Sequence, residues 1–174
     1  MAGNIIRKFK FFGAWQDDRE EAWLEEMAQQ GYHLKEVGFP LVYGFEEGVP
    51  QRVVYRLDYT SLRKLDREDY FQLFHDAGWE WVGEMAGWQY FRRSVAEGET
   101  AEIYTDNQSK IEKYRRVLGL LVILLPTFVF VFRDREGVYL FTQILKGFLF
   151  MIMLLYTYGI LMLIKRIKEL KGDS

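Results

Sequence analysis

Residues 117–132 read VLGLLVILLPTFVFVF and residues 147–164 read GFLFMIMLLYTYGILMLI, both without a charged side chain. A helix needs roughly 20 apolar residues to cross a bilayer core about 30 Å thick. The second stretch extends back to residue 138, and arginines beside the shorter first stretch can snorkel to lengthen it. In a chain of 174 residues, no comparable apolar surface remains to bury two such helices in a soluble protein. The sequence therefore predicts a transmembrane hairpin over 117–164, with spans 117–132 and 138–164.

Basic residues flank this hairpin unequally. The short turn 133–137 holds only Arg133 and Arg135, whereas the outer ends carry Lys110, Lys113, Arg115 and Arg116 on one side and Lys165, Arg166, Lys168 and Lys171 on the other. Lysine and arginine near span ends favour the cytoplasmic side. We expect a multi-pass cell-membrane protein with both termini in the cytoplasm and a basic tail over 165–174. The same charges favour anionic headgroups of the lipid bilayer.

The remaining composition excludes several classes. The net charge of −2 argues against a nucleic-acid partner, which usually requires a basic face. The absence of cysteine excludes a disulfide scaffold, a thiol nucleophile and any cysteine-based metal site. The N-terminal residues show no apolar run of signal-peptide length, so we expect membrane insertion to depend on the C-terminal segments.

The N-terminal part contains an internal repeat. Residues 21–32 read EAWLEEMAQQGY, and residues 68–79, offset by 47, read EDYFQLFHDAGW. Apolar positions at helical spacing, the glycine and the following aromatic residue coincide. Each copy predicts a helix that ends at its glycine. Asp17 with Glu20 three residues later is typical of a helix N-cap.

Strand patterns flank both helices. They cover 5–12 and 34–45 in the first copy, the latter interrupted near Gly38 and Pro40, and 52–58 and 79–92 in the second. Strand–helix–strand repeated twice predicts an α+β chain: a ferredoxin-like βαββαβ soluble domain followed by a two-helix transmembrane hairpin. A looser α+β arrangement is the alternative. The predicted domain covers 1–97, and a linker with a juxtamembrane helix over 98–116 continues unbroken into the first span.

Sequence motifs for chemistry are absent. There is no HExxH, EF-hand loop, P-loop or GxGxxG string, so we expect no catalytic residue, metal or cofactor. His33 and His75 are expected to have structural or surface roles. The carboxylate pairs Glu20-Glu21, Glu25-Glu26 and Glu46-Glu47 are expected to be solvated.

Aromatic residues make up 17% of the chain, and all five tryptophans lie before residue 89. Bulky rings can fill the limited core of a small domain. The alternative is an exposed sheet face or groove that binds an apolar ligand or a peptide. Its candidate residues are Trp15, Tyr43, Trp88 and Tyr90.

Several strings resemble the bacterial DUF2812 family: WLEEMAQQGYHL at 23–34, YRLD at 55–58, DAGWE at 76–80, GWQYFR at 87–92 and YTDNQSK at 104–110. The resemblance covers roughly 8–116. It implies a bacterial membrane protein without an assigned function, associated by gene neighbourhood with PadR-type regulators.

The leading functional expectation is a membrane-anchored, non-enzymatic sensory or regulatory module with a ligand- or protein-binding domain. An accessory subunit of a membrane complex is the alternative, with a protein partner or a second copy packing on the hairpin through Gly119, Gly147 and Gly159. An enzyme acting on a lipid or envelope substrate comes third.

Overall fold

The computed structural model describes residues 5–39, 41–60, 67–96, 101–103, 107–132 and 140–172. The chain divides into two units, Met1–Thr105 and Asp106–Ser174. The first contains β1 (Ile5–Phe9), α1 (Asp17–Gln29), β2 (Tyr32–Gly38), β3 (Val42–Glu47), β4 (Val53–Tyr59), α2 (Arg67–Asp76), β5 (Glu80–Met85) and β6 (Trp88–Ser94). The second contains α3 (Asn107–Phe132) and α4 (Leu140–Gly172).

The strands form two three-stranded antiparallel sheets, with the orders β1-β3-β2 and β4-β6-β5. Because β3 lies antiparallel between β1 and β2, β1, α1 and β2 form a βαβ crossover split by a third strand. β4, α2 and β5 repeat this arrangement around β6. Each copy of the sequence repeat therefore supplies one β-α-β-β unit and one complete sheet.

Backbone irregularities recur at the same offset of 47 residues. Gly31 follows α1 with φ +86°, and Gly78 follows α2 with φ +82°. Glycine adopts this left-handed conformation without a Cβ penalty. β2 then has a bulge after Leu34, and β5 has one after Trp81. The structure thus confirms the duplication down to its turns and bulges.

The stretches 34–45 and 79–92, each predicted as one strand, are hairpins instead. The first reverses near Leu41 (φ 57°), and the second through Ala86 (φ 52°) and Gly87 (φ 85°). Consecutive residues with positive φ are typical of tight hairpin turns, but leucine and alanine rarely adopt a positive φ angle. The described residues form six strands in two sheets, where the ferredoxin-like prediction has four strands in one sheet.

α1 joins the two repeats by packing on β4, an edge strand of the second sheet. Glu25 Oε1 accepts a hydrogen bond from the Tyr55 N–H at 3.3 Å, and Glu21 Oε1 accepts one from the Leu57 N–H at 2.8 Å. An edge strand leaves alternate backbone N–H groups without a strand partner. Two carboxylates one helical turn apart satisfy two of these groups and fix α1 along the edge.

Among the described residues of the first unit, buried side chains form two clusters. One gathers around α1 from both sheets and comprises Leu24, Met27, Ala28, Leu34, Tyr43, Phe45, Val53, Tyr55, Leu57, Met85 and Tyr90. The other comprises Val54, Phe74, Trp79, Phe91 and Ala101, with Phe74 and Phe91 stacked at 4.1 Å between ring centroids. Because Ala101 belongs to this cluster, the segment leading toward α3 is packed into the domain core.

In the second unit α3 and α4 pack against each other as an antiparallel pair. Asn107 Nδ2 donates a hydrogen bond to the Leu170 carbonyl at 3.4 Å, and the Tyr156 hydroxyl donates to the Leu121 carbonyl. Residue numbers therefore increase along α3 in the direction in which they decrease along α4, so the two helices run antiparallel. The predicted turn 133–137 lies outside the described residues.

α3 runs from the predicted juxtamembrane segment to Phe132 as one helix, with Pro126 inside it. This agrees with the predicted continuous helix. Within the described part of the chain, one helix, Gln143–Gly172, is long and apolar enough to cross a membrane. Its exposed side chains include Ile144 and Leu155.

Candidate functional site

The first turn of α1 carries two buried carboxylates. The predicted cap by Asp17 and Glu20 does not form, because the N-cap residue is Gln16 and makes no side-chain cap hydrogen bond. Its amide oxygen instead accepts from the Gly13 N–H at 2.9 Å. Asp17 is only 4% exposed and Glu20 only 7% exposed. Both acidic side chains are therefore enclosed by the domain, close to the positive end of the helix dipole.

Glu20 is held by two tyrosines from different sheets. The Tyr43 hydroxyl donates to Glu20 Oε1 at 2.7 Å, and the Tyr90 hydroxyl donates to the same oxygen at 2.6 Å. Burial raises the pKa of Glu20, the nearby Asp17 charge adds to this rise, and the two hydrogen bonds oppose it. Burial, reinforced by the Glu20 charge, raises the pKa of both tyrosines, so their hydroxyls remain donors.

A cavity of about 390 Å³ opens beside these carboxylates. Its wall is mainly apolar, and its two ionisable acids are Asp17 and Glu20. The described residues that line it are Phe12, Gly13, Ala14, Asp17, Glu20, Phe39, Leu41, Met85, Ala86, Trp88 and Tyr90. Residues from both sequence copies thus enclose one space, with an acidic group where α1 begins.

The structure separates the four aromatic residues predicted to form one exposed surface. Tyr43 and Tyr90 are 0% and 1% exposed and belong to the core. Trp88 is half-buried and lines the cavity together with the Tyr90 ring. Trp15 is half-buried and packs over Gly13, outside the cavity lining. Two of the four candidates therefore meet at a cavity, while Tyr43 contributes to it through Glu20.

Sequence reasoning missed the acidic side chains. The prediction that Glu20-Glu21 and Glu25-Glu26 are solvated is wrong for Glu20, Glu21 and Glu25, which bond tyrosine hydroxyls or strand N–H groups. A signal was available in the spacing of α1. Asp17 and Glu20 continue the three- and four-residue spacing of its buried positions Leu24, Met27 and Ala28.

Arg56 on β4 connects α1 to residue 102, near the end of the first unit. Its Nη1 lies 2.7 Å from Glu25 and 3.7 Å from Glu21, and its Nη2 lies 2.9 Å from Glu102. Burial opposes its charge, but the carboxylates of Glu21 and Glu102 prevail and raise the pKa of Arg56. The guanidinium therefore remains charged and ties α1, β4 and residue 102 together.

The predicted membrane-flanking basic residues lie at one end of the helical pair. The contacts of Asn107 with Leu170 and of Leu121 with Tyr156 align the two helices. The basic cluster of α3 and the basic cluster of α4 therefore lie at similar positions along the axis of the pair. Arg115, Arg116, Lys165 and Lys168 are exposed, and Arg166 is half-buried. Lys113 is buried, with its ammonium 5.1 Å from the centre of the Tyr114 ring.

The histidines lie away from the acidic cavity. His33 Nε2 is 2.9 Å from the Val49 carbonyl oxygen, and His75 is exposed beside Asp76. No group of three or more His, Cys, Asp or Glu side chains that could hold a metal ion occurs among the described residues.

Comparison with known proteins gives one match. The model of the family described as "Protein of unknown function (DUF2812)" matches residues 16–125, a segment that runs from the start of α1 into α3. No curated protein and no solved structure matches the chain. Since the family model covers more than half of the 174 residues, the chain belongs to the DUF2812 family.

Proposed function

We propose that this protein is a membrane-anchored, non-enzymatic sensory or regulatory module whose N-terminal domain binds a small ligand. The observation that carries the proposal is the cavity of about 390 Å³ beside α1. Small-molecule sites are usually apolar clefts of ≈ 300–1,000 Å³ with a few polar groups that orient the ligand. Trp88 and Met85 supply apolar walls of this kind, and Glu20 supplies a buried polar group.

The resemblance to DUF2812 implies a gene neighbourhood with PadR-type regulators, and this supports a soluble regulator as the downstream partner. A chain of contacts from the cavity to residue 102 supports the transmission of a signal within the domain. Glu20 faces the cavity side of α1, and Glu25, further along the helix, binds the arginine that also holds Glu102. A ligand that moves α1 would alter this contact.

The anchor in this proposal is a two-span hairpin with both termini in the cytoplasm. Three features support it: the antiparallel packing of α3 and α4, the basic residues at one end of the pair, and apolar side chains that remain exposed. The exposed residues include Leu120, Val122, Ile123, Phe148, Phe150, Leu154, Leu155 and Leu161. Such a surface is stable in lipid but not in water.

Thiol labelling tests this topology. The chain has no cysteine, so Gly137→Cys and Ser174→Cys each introduce a single thiol. We expect a membrane-impermeant maleimide to label Gly137→Cys in intact cells and to label Ser174→Cys only after permeabilisation. If α4 alone crosses the membrane, Ser174→Cys would be labelled in intact cells and Gly137→Cys protected. That result would contradict the hairpin.

A second candidate function, an accessory subunit of a membrane complex, rests on a separate observation. A Cβ placed on Gly119 or Gly147, both exposed, would meet no atom of the described residues within 4 Å. These two helical glycines therefore leave flat, open surface that another transmembrane helix can approach closely. Gly159, by contrast, is buried. The occupant of this surface would be a partner subunit or a second copy of the chain.

Native mass spectrometry of the full chain, purified in mild detergent, distinguishes these functions. We expect a retained small molecule in the natural chain and in Ala22→Phe, whose side chain lies on the exposed face of α1. Ala14→Phe fills the cavity and should lose the molecule. A stoichiometric membrane protein with no bound small molecule would support the subunit function instead. Chemical conversion of added lipid would support an enzyme, the third possibility.

A further inference from the structure

We infer that the cavity beside α1 is selective for a small organic cation, an ammonium group carried on an apolar body. This inference rests on the proposed ligand-binding function and names the chemical class of the ligand. It depends on the charge of the lining, on the hydrogen bonding of Glu20 and on the aromatic walls.

The charge of the described lining disfavours an anion. Asp17 and Glu20 line the cavity, and none of the described residues that line it is a lysine, arginine or histidine. Both carboxylates are more than nine-tenths buried. An anion placed beside them would face like charges in a poorly solvated space, whereas a cation would relieve their repulsion.

Glu20 keeps one oxygen available for such a cation. Both tyrosine hydroxyls donate to Oε1, and Oε2 accepts no hydrogen bond from any described residue. Tyr43 and Tyr90 orient the carboxylate, since they approach it from two different sheets. A buried carboxylate fixed at one oxygen and uncovered at the other is suited to a charge-assisted hydrogen bond from an ammonium group.

The aromatic walls suit the same ligand. Phe12, Trp88 and Tyr90 line the cavity, and aromatic faces attract organic cations. The chain itself shows this preference, because the Lys10 ammonium lies 5.2 Å from the Phe12 ring centre and 4.6 Å from that of Trp23. A hard metal ion fits poorly, since Ca²⁺ takes 6–8 oxygen ligands and this wall is mainly apolar.

Calorimetric titration of the full chain in mild detergent tests the charge preference with three probes of similar size. They are 2-phenylethylammonium, neutral 2-phenylethanol and anionic 3-phenylpropanoate. We expect the ammonium to bind at least about tenfold more tightly than the alcohol, and the carboxylate not to bind. Ala14→Phe should abolish binding of the ammonium, because it fills the cavity.

Two acidic variants and one control locate the effect. Glu20→Gln and Asp17→Asn should each weaken ammonium binding by about tenfold or more, a loss of about 1.4 kcal/mol or more. Glu26→Gln should bind as the natural chain does, since Glu26 lies on the exposed face of the same helix. Thermal melts followed by tryptophan fluorescence show whether each variant is folded. If Glu20→Gln does not fold, the affinity of the folded Asp17→Asn variant still decides the test.

The outcomes separate the two levels of the proposal. Equal binding of alcohol and ammonium, or unchanged ammonium affinity in the folded acidic variants, would overturn the inferred cation preference and leave a ligand-binding cavity. Failure of all three probes to bind, together with no retained molecule in the natural chain, would overturn the proposed function as well.

Discussion

Leu24→Ala is expected to lower the free energy of unfolding of the N-terminal domain by about 2–5 kcal/mol, the range for truncating a fully buried leucine. Leu24 is 0% exposed and lies on α1 in the cluster that receives side chains from both sheets. A void there cannot close by moving one sheet alone, because α1 is also fixed to β4 by Glu21 and Glu25. The loss should therefore be in the upper part of this range.

Urea unfolding of the full chain in mild detergent measures this loss. All five tryptophans lie between residues 15 and 88, so their fluorescence reports the domain and not the helical pair. Leu73→Ala is the matched control. Leu73 also lies on a helix but is 67% exposed, so this change should shift stability by no more than about 0.5 kcal/mol. Similar losses in the two variants would refute the described packing of α1.

Local patterns predict much of this fold. Helical spacing and the glycines that end the helices identified α1, α2 and the duplication, since these features depend on neighbouring residues. The hairpins inside 34–45 and 79–92 were missed because Leu41 and Ala86 adopt positive φ. Residues other than glycine and asparagine carry little local preference for such turns. Tertiary packing sets the turns at these positions.

The candidate site was less predictable for a related reason. Asp17 and Glu20 fit a local capping pattern, but the hydroxyls of Tyr43 and Tyr90 give Glu20 a buried partner from distant parts of the chain. Each hydroxyl also needs an acceptor, because an unpaired buried polar group costs about 1–3 kcal/mol. The long-range partner therefore prevails over the local cap.

α1 is consequently the element through which the proposed functions are connected. Its start lines the cavity with Glu20, its apolar face carries Leu24 into the shared core, and Glu25 binds Arg56. In the sensory proposal, a change at the cavity reaches residue 102 through this one helix. The sensory proposal thus predicts that the Arg56 contacts matter more than those of an ordinary surface ion pair.

Arg56→Ala is expected to lower the free energy of unfolding by about 2–4 kcal/mol. Removing one partner of a fully buried ion pair costs about 3–5 kcal/mol, and the Arg56 side chain, 16% exposed, is slightly less enclosed. The variant leaves Glu21, Glu25 and Glu102 close together without their shared cation. The same fluorescence-detected unfolding measures the loss.

Arg7→Ala is the matched control for this prediction. Arg7 binds Glu36 at 3.1 Å, but its side chain is 67% exposed, and surface pairs contribute about 0–1 kcal/mol. Arg56→Lys should lose an amount of unfolding free energy between those of Arg7→Ala and Arg56→Ala. A single ammonium cannot reproduce the separate contacts of Nη1 and Nη2 with Glu25 and Glu102. If Arg56→Ala is no more destabilising than Arg7→Ala, the arginine is not the junction between α1 and the segment toward α3, and the proposed route for a signal fails with it.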